Sequence, residues 1–200
     1  MAFLKLLHKL FFNRSVTENK SKFLDLPDER LRSEEGDFTT QDKKSDLRDE
    51  KLEKACKELK QIIDQLYGGR SLRIRAVDGG SCNGEEIELT ALNNAYYDIE
   101  RFGLSFVASP RHADILFVTG PVTRNLERAV LTTYEAAPEP CIVVAIGDGA
   151  CTGGIWKDSY AVVGPVEKII PVHYKIYGNP PTPTQILQGM LHILKDHVQS

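Results

Sequence analysis

A chain of 200 residues, 42% hydrophobic and 26% charged, holds one full-sized core with material left for a tail. A net charge of -3 and a pI near 6.0 give no global argument for nucleic-acid binding, and none is expected. The four cysteines, Cys56, Cys82, Cys141 and Cys151, are too few and too irregular for a secreted disulfide scaffold, which favours reduced thiols in a cytoplasm-facing compartment.

The chain opens with MAFLKLLHKLFF. Phe3, Leu6, Leu7, Leu10 and Phe11 share one helical stripe, with Lys5, His8 and Lys9 mostly elsewhere. The apolar run is short and lacks a small-residue cleavage site, so a secretory signal is not expected. Residues 1–12 are read as a basic amphipathic helix lying at a membrane surface or on a membrane-bound partner; packing on its own domain is the alternative. No run of about 18 apolar residues exists, so no transmembrane helix is expected. Residues 13–45 are polar and charged, as in DERLRSEEGD and TTQDKKSD. Such a stretch buries too little apolar surface to offset ordering, and is read as a linker, disordered or partner-bound.

Leu52, Ala55, Cys56, Leu59, Ile62, Ile63 and Leu66 recur at three- and four-residue spacing before Gly68-Gly69, which predicts an amphipathic helix over residues 46–68. Cys56 lies on its apolar stripe and is expected to be a buried core thiol. A single domain follows over residues 69–200. Strands are expected at 72–77, 104–108, 115–119 and 142–146, and helices at 86–98, 125–135 and 185–195. Near-continuous apolar strands separated by helices predict an α/β fold, a doubly wound, mainly parallel open sheet with helices on both faces. The loops at 78–85, 120–123, 147–154 and 177–183 then gather at the edge formed by strand carboxyl ends, where such folds build sites.

The first of these loops reads DGGSCNGEEIE from Asp78 to Glu88. Glycines around Cys82 would let the backbone approach a thiolate-bound group closely. A [4Fe–4S] cube needs four outer ligands, usually thiolates, and the loops supply only Cys82 and Cys151. Cys141 opens an apolar strand after Pro140 and reads as a core or edge thiol. Glu85, three residues after Cys82, offers a carboxylate, a hard oxygen poorly matched to iron–sulfur chemistry. Asn179 is weaker still. Zinc held by Cys82, Cys151 and a His or Glu has neither a CxxC nor a close Cys–His spacing behind it. The GDGACTGG run is neither a GxGxxG after the first strand nor a Walker loop with its lysine. An independent enzyme binding a nucleotide or small molecule therefore stands only as an alternative.

Four blocks carry a resemblance: GRSLRIRAVDGGSCNGEEIEL, FGLSFVASPRHADILFVTGPVTRNLERAV, PEPCIVVAIGDGACTGGIW and IIPVHYKIYGNPPTPTQIL. Together they resemble the small cluster-bearing subunit of the complex I superfamily (the 20 kDa or B subunit). More closely, they resemble the small subunit of membrane-bound [NiFe] hydrogenases of the energy-converting and formate-hydrogenlyase type. The likeness runs from about residue 69 to 194. The family loops read roughly G-S-C-N-G-C-x-I-E, then G-x-C-A-x-x-G-G, then P-G-C-P-P. Carried onto this chain, the ligand positions are Cys82, Glu85, Gly149 and Asn179, of which only the first is a cysteine. Cys151 lies two residues beyond the third position.

The resemblance implies a flavodoxin-like core and a degenerate cluster site. [4Fe–4S] is the family cofactor, but with an incomplete ligand set no cofactor is expected here. It implies a large-subunit homologue of the [NiFe]-hydrogenase or complex I 49 kDa type as partner, together with membrane-embedded subunits. It also implies a peripheral place on the cytoplasmic side of the inner (plasma) membrane, and no catalysis by this chain alone. Arg75, Glu88, Arg101, Arg111 and His112 match polar positions near the cluster, the subunit contact or the membrane-facing side, though each reads equally well as an ordinary surface charge. The alternative expectation is an electron-transfer subunit holding an atypical centre with Cys82, Cys151, Glu85 and a partner residue.

Overall fold

The computed structural model describes residues 38–199. The amphipathic stripe at 1–12 and most of the polar segment after it lie outside the described residues. The chain divides into two compact units, residues 1–48 and 49–200. In the first, the described residues are the opening turns of helix α1, Phe38–Tyr67. That helix thus covers all but the last residue of the 46–68 stretch, and eight residues of the polar segment before it. In the second unit, Cys56, Leu59 and Ile63 are buried on one stripe of α1. Gly68 and Gly69, at φ 63° and 82°, then stop the helix in the left-handed conformation that favours glycine.

Five parallel strands form the sheet: β1 (Leu72–Asp78), β2 (Leu104–Phe106), β3 (Ile115–Thr119), β5 (Ile142–Ile146) and β7 (Tyr174–Ile176). Their order is β2-β1-β3-β5-β7, so the winding direction reverses between β1 and β3. A short antiparallel ribbon pairs β4 (Val122–Thr123) with β6 (Val162–Gly164). Strand alternation divides the core in two. Ile74, Ile115, Phe117, Val144 and Ile146 face one layer with α1, α2 (Gly84–Ala91) and α5 (Pro183–Gln199). Val77, Leu116, Val118, Val143 and Ala145 face the other, with α3 (Glu127–Glu135) and α4 (Gly147–Thr152). All five residues of β3 are buried, as a central strand between two helical layers requires.

Several elements depart from the sequence reading. The helix after β1 ends at Ala91 rather than near residue 98. Asn94 Oδ1 there accepts from the backbone N–H groups of Tyr96 and Tyr97, both at 2.9 Å. This side-chain turn competes with helix propagation. Residues 147–152, expected as loop, form α4. Helix α5 starts two residues earlier than expected, at Pro183, where a missing N–H costs nothing in a first turn. Strand β7 spans only three residues, too few to show a period.

Candidate functional site

Asp78 closes β1 and turns the chain back. Its Oδ1 accepts from the N–H of Gly80 at 2.7 Å and of Ser81 at 2.9 Å. The loops after β1 and β3 are then stitched together through backbone. Gly79 N–H donates to Thr119 O at 3.1 Å, and Thr123 N–H donates to Gly79 O at 2.8 Å. Gly120 sits at φ 65°, and a Cβ there would lie 2.3 Å from Ser81 N, so only glycine fits this crossing. Ser81 and Thr119 hydroxyls both donate to the Glu86 carboxylate. A second stitch joins α4 to the loop after β7. Asp148 N–H donates to Gly178 O at 2.8 Å, and Asp148 Oδ1 accepts from Gly178 N–H at 3.0 Å.

These loops enclose a cleft of about 560 Å³ at the carboxyl edge of the sheet, lined among others by Cys82, Glu85, Gly149, Asn179, Asp148 and Trp156. All four positions named above as family ligands therefore meet in one place. Cys82 is exposed. Glu85, in the first turn of α2, is only 5% exposed, and its Oε2 has no hydrogen-bond partner. Its other oxygen packs where a Gly147 side chain would go, since a Cβ there would lie 2.4 Å from Oε1. Burial pushes the Glu85 carboxyl up; its own backbone N–H opposes this, and Glu86, Asp78 and Asp148 push it further up. At Gly149 a Cβ would lie 2.6 Å from the Pro121 ring, so the proline fills the space a ligand side chain needs.

Cys151 does not line the cleft. It is buried, and its thiol faces the carbonyls of Ala145 at 3.5 Å and Ile176 at 3.7 Å. Burial pushes this thiol up to about 12. The reason is α4: residues two apart in a helix project about 200° apart, so Gly149 at the cleft turns Cys151 toward the sheet. Cys56 is buried as expected, and Cys141 is half-buried, its thiol pushed up to about 11 by burial.

The five polar positions also lie off the cleft lining. Arg75 is half-buried on β1 with its Nε unpartnered. Glu88 is half-buried on α2. Arg101 is exposed, 4.0 Å from Asp98 and 4.6 Å from the Phe102 ring centroid. Arg111 and His112 are exposed in the turn before β3. That turn enters at the amino end of the strand, where Asp114 N–H donates to Arg73 O at 2.8 Å. Sequence reasoning missed Glu86, Asp148, Pro121, Ile155 and Trp156. The last two carried a signal: an Ile-Trp pair directly after Gly153-Gly154 is an apolar step in a polar loop.

The donor set does not fit a [4Fe–4S] group. It supplies one exposed thiol, one buried carboxyl, one neutral amide and a glycine whose side-chain space belongs to Pro121. Among the described residues, no group of three or more His, Cys, Asp or Glu side chains is placed to hold a metal ion. Among them too, no helix is long and apolar enough to cross a membrane.

Residues 82–193 match the family described as NADH ubiquinone oxidoreductase, 20 Kd subunit. The chain is 45% identical over 141 residues to the probable membrane-bound hydrogenase subunit mbhJ of Pyrococcus furiosus, covering 70% of this chain and 84% of that one. It is 47% identical over 120 residues to formate hydrogenlyase subunit 7 of Escherichia coli, covering 60% of this chain and 47% of that one. Among solved structures, a chain of the membrane-bound sulfane sulfur reductase, an archaeal respiratory membrane complex, is similar with a TM-score of 0.58 and 34% identity, covering 67% of this chain and 74% of that one. The chain thus belongs to the family of the complex I 20 kDa subunit and the [NiFe]-hydrogenase small subunits, as a member in which three of the four cluster cysteines are replaced.

Proposed function

We propose that this chain is a cluster-deficient small subunit of a membrane-associated complex, docked by its cleft edge on a large-subunit homologue. The observation that carries this reading is a kept frame around a changed donor set. The loops bearing Cys82, Glu85, Gly149 and Asn179 still meet at one cleft, while their side chains no longer suit a cluster. The rim supports it: Ile155 is 85% exposed and Trp156 58% exposed, and Tyr177, two residues before Asn179 in sequence, is exposed as well. Large apolar side chains left to water around a concavity mark an interaction surface.

In this reading residues 69–200 are the docked domain, residues 13–45 tether it, and residues 1–12 reach the membrane or a membrane-embedded subunit on the cytoplasmic side. The chain positions its partner and passes no electrons by the family route. Two measurements test this. Purification of the tagged chain from its native membranes in mild detergent is expected to recover a large-subunit homologue in near-stoichiometric amount. Anaerobic incubation of the full chain with iron and sulfide is expected to leave it without a [4Fe–4S] EPR signal on reduction. A stoichiometric signal lost in a Cys82→Ser variant would overturn the cluster-deficient half. A chain recovered alone would overturn the docking half.

A further inference from the structure

The cleft has an electrostatic imbalance. Asp78, Glu86 and Asp148 each accept at least one hydrogen bond: Asp78 from Gly80 and Ser81, Glu86 from Ser81 and Thr119, and Asp148 from Gly178. Glu85 differs. It is 5% exposed, one of its oxygens has no partner, and it lines the cleft. A buried carboxyl oxygen without a donor costs free energy that a matching donor would recover. The charges that act on it come from its own helix (Glu86), the end of β1 (Asp78) and α4 (Asp148), and all are acidic. Among the described residues, no Lys, Arg or His lines the cleft. The cleft is roomy and open, and its rim presents exposed Ile155 and Trp156. A surface covering that rim would strip water from whatever lies beneath it.

Resting on the docking reading above, we infer that the cleft receives one basic side chain of the large-subunit homologue, inserted from an otherwise apolar surface, whose cation pairs with Glu85. Charge complementarity selects the occupant. An apolar side chain would leave the Glu85 oxygen without a donor, and an acidic one would add a further carboxylate beside Glu85 and Asp148. A cation supplies the missing donor as a charge-assisted hydrogen bond. Ringed by covered apolar residues, such a pair would sit at the dry centre of the interface, where basic anchors contribute most. Asn179 and Trp156 on the lining offer an amide acceptor and an aromatic face, both suited to a planar guanidinium. The former cluster space is thereby refilled by a partner's positive charge.

The test has two arms. Trp156 is the single tryptophan of the chain and lines the cleft, so its fluorescence reports on occupancy. The full chain is titrated at constant ionic strength with ethylguanidinium and ethylammonium, and with N-ethylurea as the neutral analogue. A saturable change with at least one cation, at least tenfold weaker in Glu85→Gln and at least tenfold weaker for N-ethylurea, is expected. Equal responses to the charged and neutral probes, or equal responses of wild type and variant, would overturn the inference. In the second arm, tagged wild type, Glu85→Gln and Glu85→Arg are purified from native membranes. Recovery of the large subunit is expected to fall at least threefold in Glu85→Gln and tenfold in Glu85→Arg, with circular dichroism showing each variant folded. Glu85→Gln is nearly isosteric and keeps the test sound if Glu85→Arg does not fold. Recovery undiminished in both variants overturns the inference and leaves the docking reading standing. A wild type that brings down no large subunit removes both.

Discussion

Glu85 and Asp114 illustrate how a single carboxyl sets the sign of a pH dependence. The Glu85 carboxyl is raised above its usual 4.5, by burial first and by Glu86, Asp78 and Asp148 after it. The folded chain therefore holds this proton more tightly than the unfolded one. Stability falls as pH rises from the unfolded value through the folded one, and the penalty is complete above that window. Glu85→Gln is accordingly expected to stabilise the isolated chain by about 1 kcal/mol at pH 7 and to flatten its pH profile above pH 4.5. Urea midpoints at pH 5 and pH 8 check this; a variant less stable than wild type at pH 8 would refute it. Asp114 runs the other way. Burial tends to raise its carboxyl, but Arg70, at 2.8 and 3.0 Å, and the Arg73 N–H, at 2.9 Å, hold it below its usual 3.8. Its contribution is present above pH 3.8 and lost as pH falls through the lowered value. Arg70 is substantially exposed, so solvent screening limits the pair, and Asp114→Asn is expected to cost about 1 kcal/mol at pH 7. The same urea series reads it.

Helix α4 decides what the site can become. Its Gly149 faces the Pro121 ring at a distance no Cβ tolerates, and a proline ring has no rotamer by which to move aside. Gly149→Ala is therefore expected to destabilise by about 1–3 kcal/mol through overpacking, with Pro121→Ala restoring part of the loss in the double variant. The triple change E85C/G149C/N179C, which returns cysteine to every family position, is expected to bind a [4Fe–4S] cluster poorly until Pro121 is also replaced. Iron and sulfide per chain after anaerobic reconstitution measure this directly, and full loading of the triple variant alone would contradict it. This element was also where the sequence was hardest to read. β3 and β5 are legible residue by residue, because four and five consecutive apolar positions admit little but a buried strand. α4 has six residues, two of them glycine, and begins directly after the last residue of β5 with no side-chain cap, so it shows neither period nor cap. Reading it as loop left Cys151 plausible as a substitute ligand. The helix removes that option by turning the thiol inward. The meeting of the loops that bear Cys82, Glu85, Gly149 and Asn179 was legible from strand–helix alternation, and the spacing of the family's loops picked out these four positions in them. The acids beside Glu85 were not, since Asp78, Glu86 and Asp148 come together from three separate elements.

At the scale of the whole chain, the docking reading predicts two separable losses. Ile155→Asp with Trp156→Asp is expected to lower recovery of the large subunit at least tenfold without altering the circular dichroism of the isolated chain, because both side chains are exposed there. Removing residues 1–12 is expected to abolish co-sedimentation with liposomes, or to lower recovery of membrane-embedded subunits, while sparing contact with the large subunit. Unchanged behaviour in both assays would remove the anchoring role.

The walls of the cleft are tied backbone to backbone, Gly79 to Thr119, Thr123 to Gly79 and Asp148 to Gly178, and none of these ties passes through a ligand position. Folding here is therefore expected to need no bound group, unlike small metal domains whose structure collapses without the ion. In evolutionary terms, a frame held by its own backbone ties can lose ligand residues and keep its outline. A lineage can in this way turn a conducting part into an insulating one of the same outline, while its neighbours go on fitting against it.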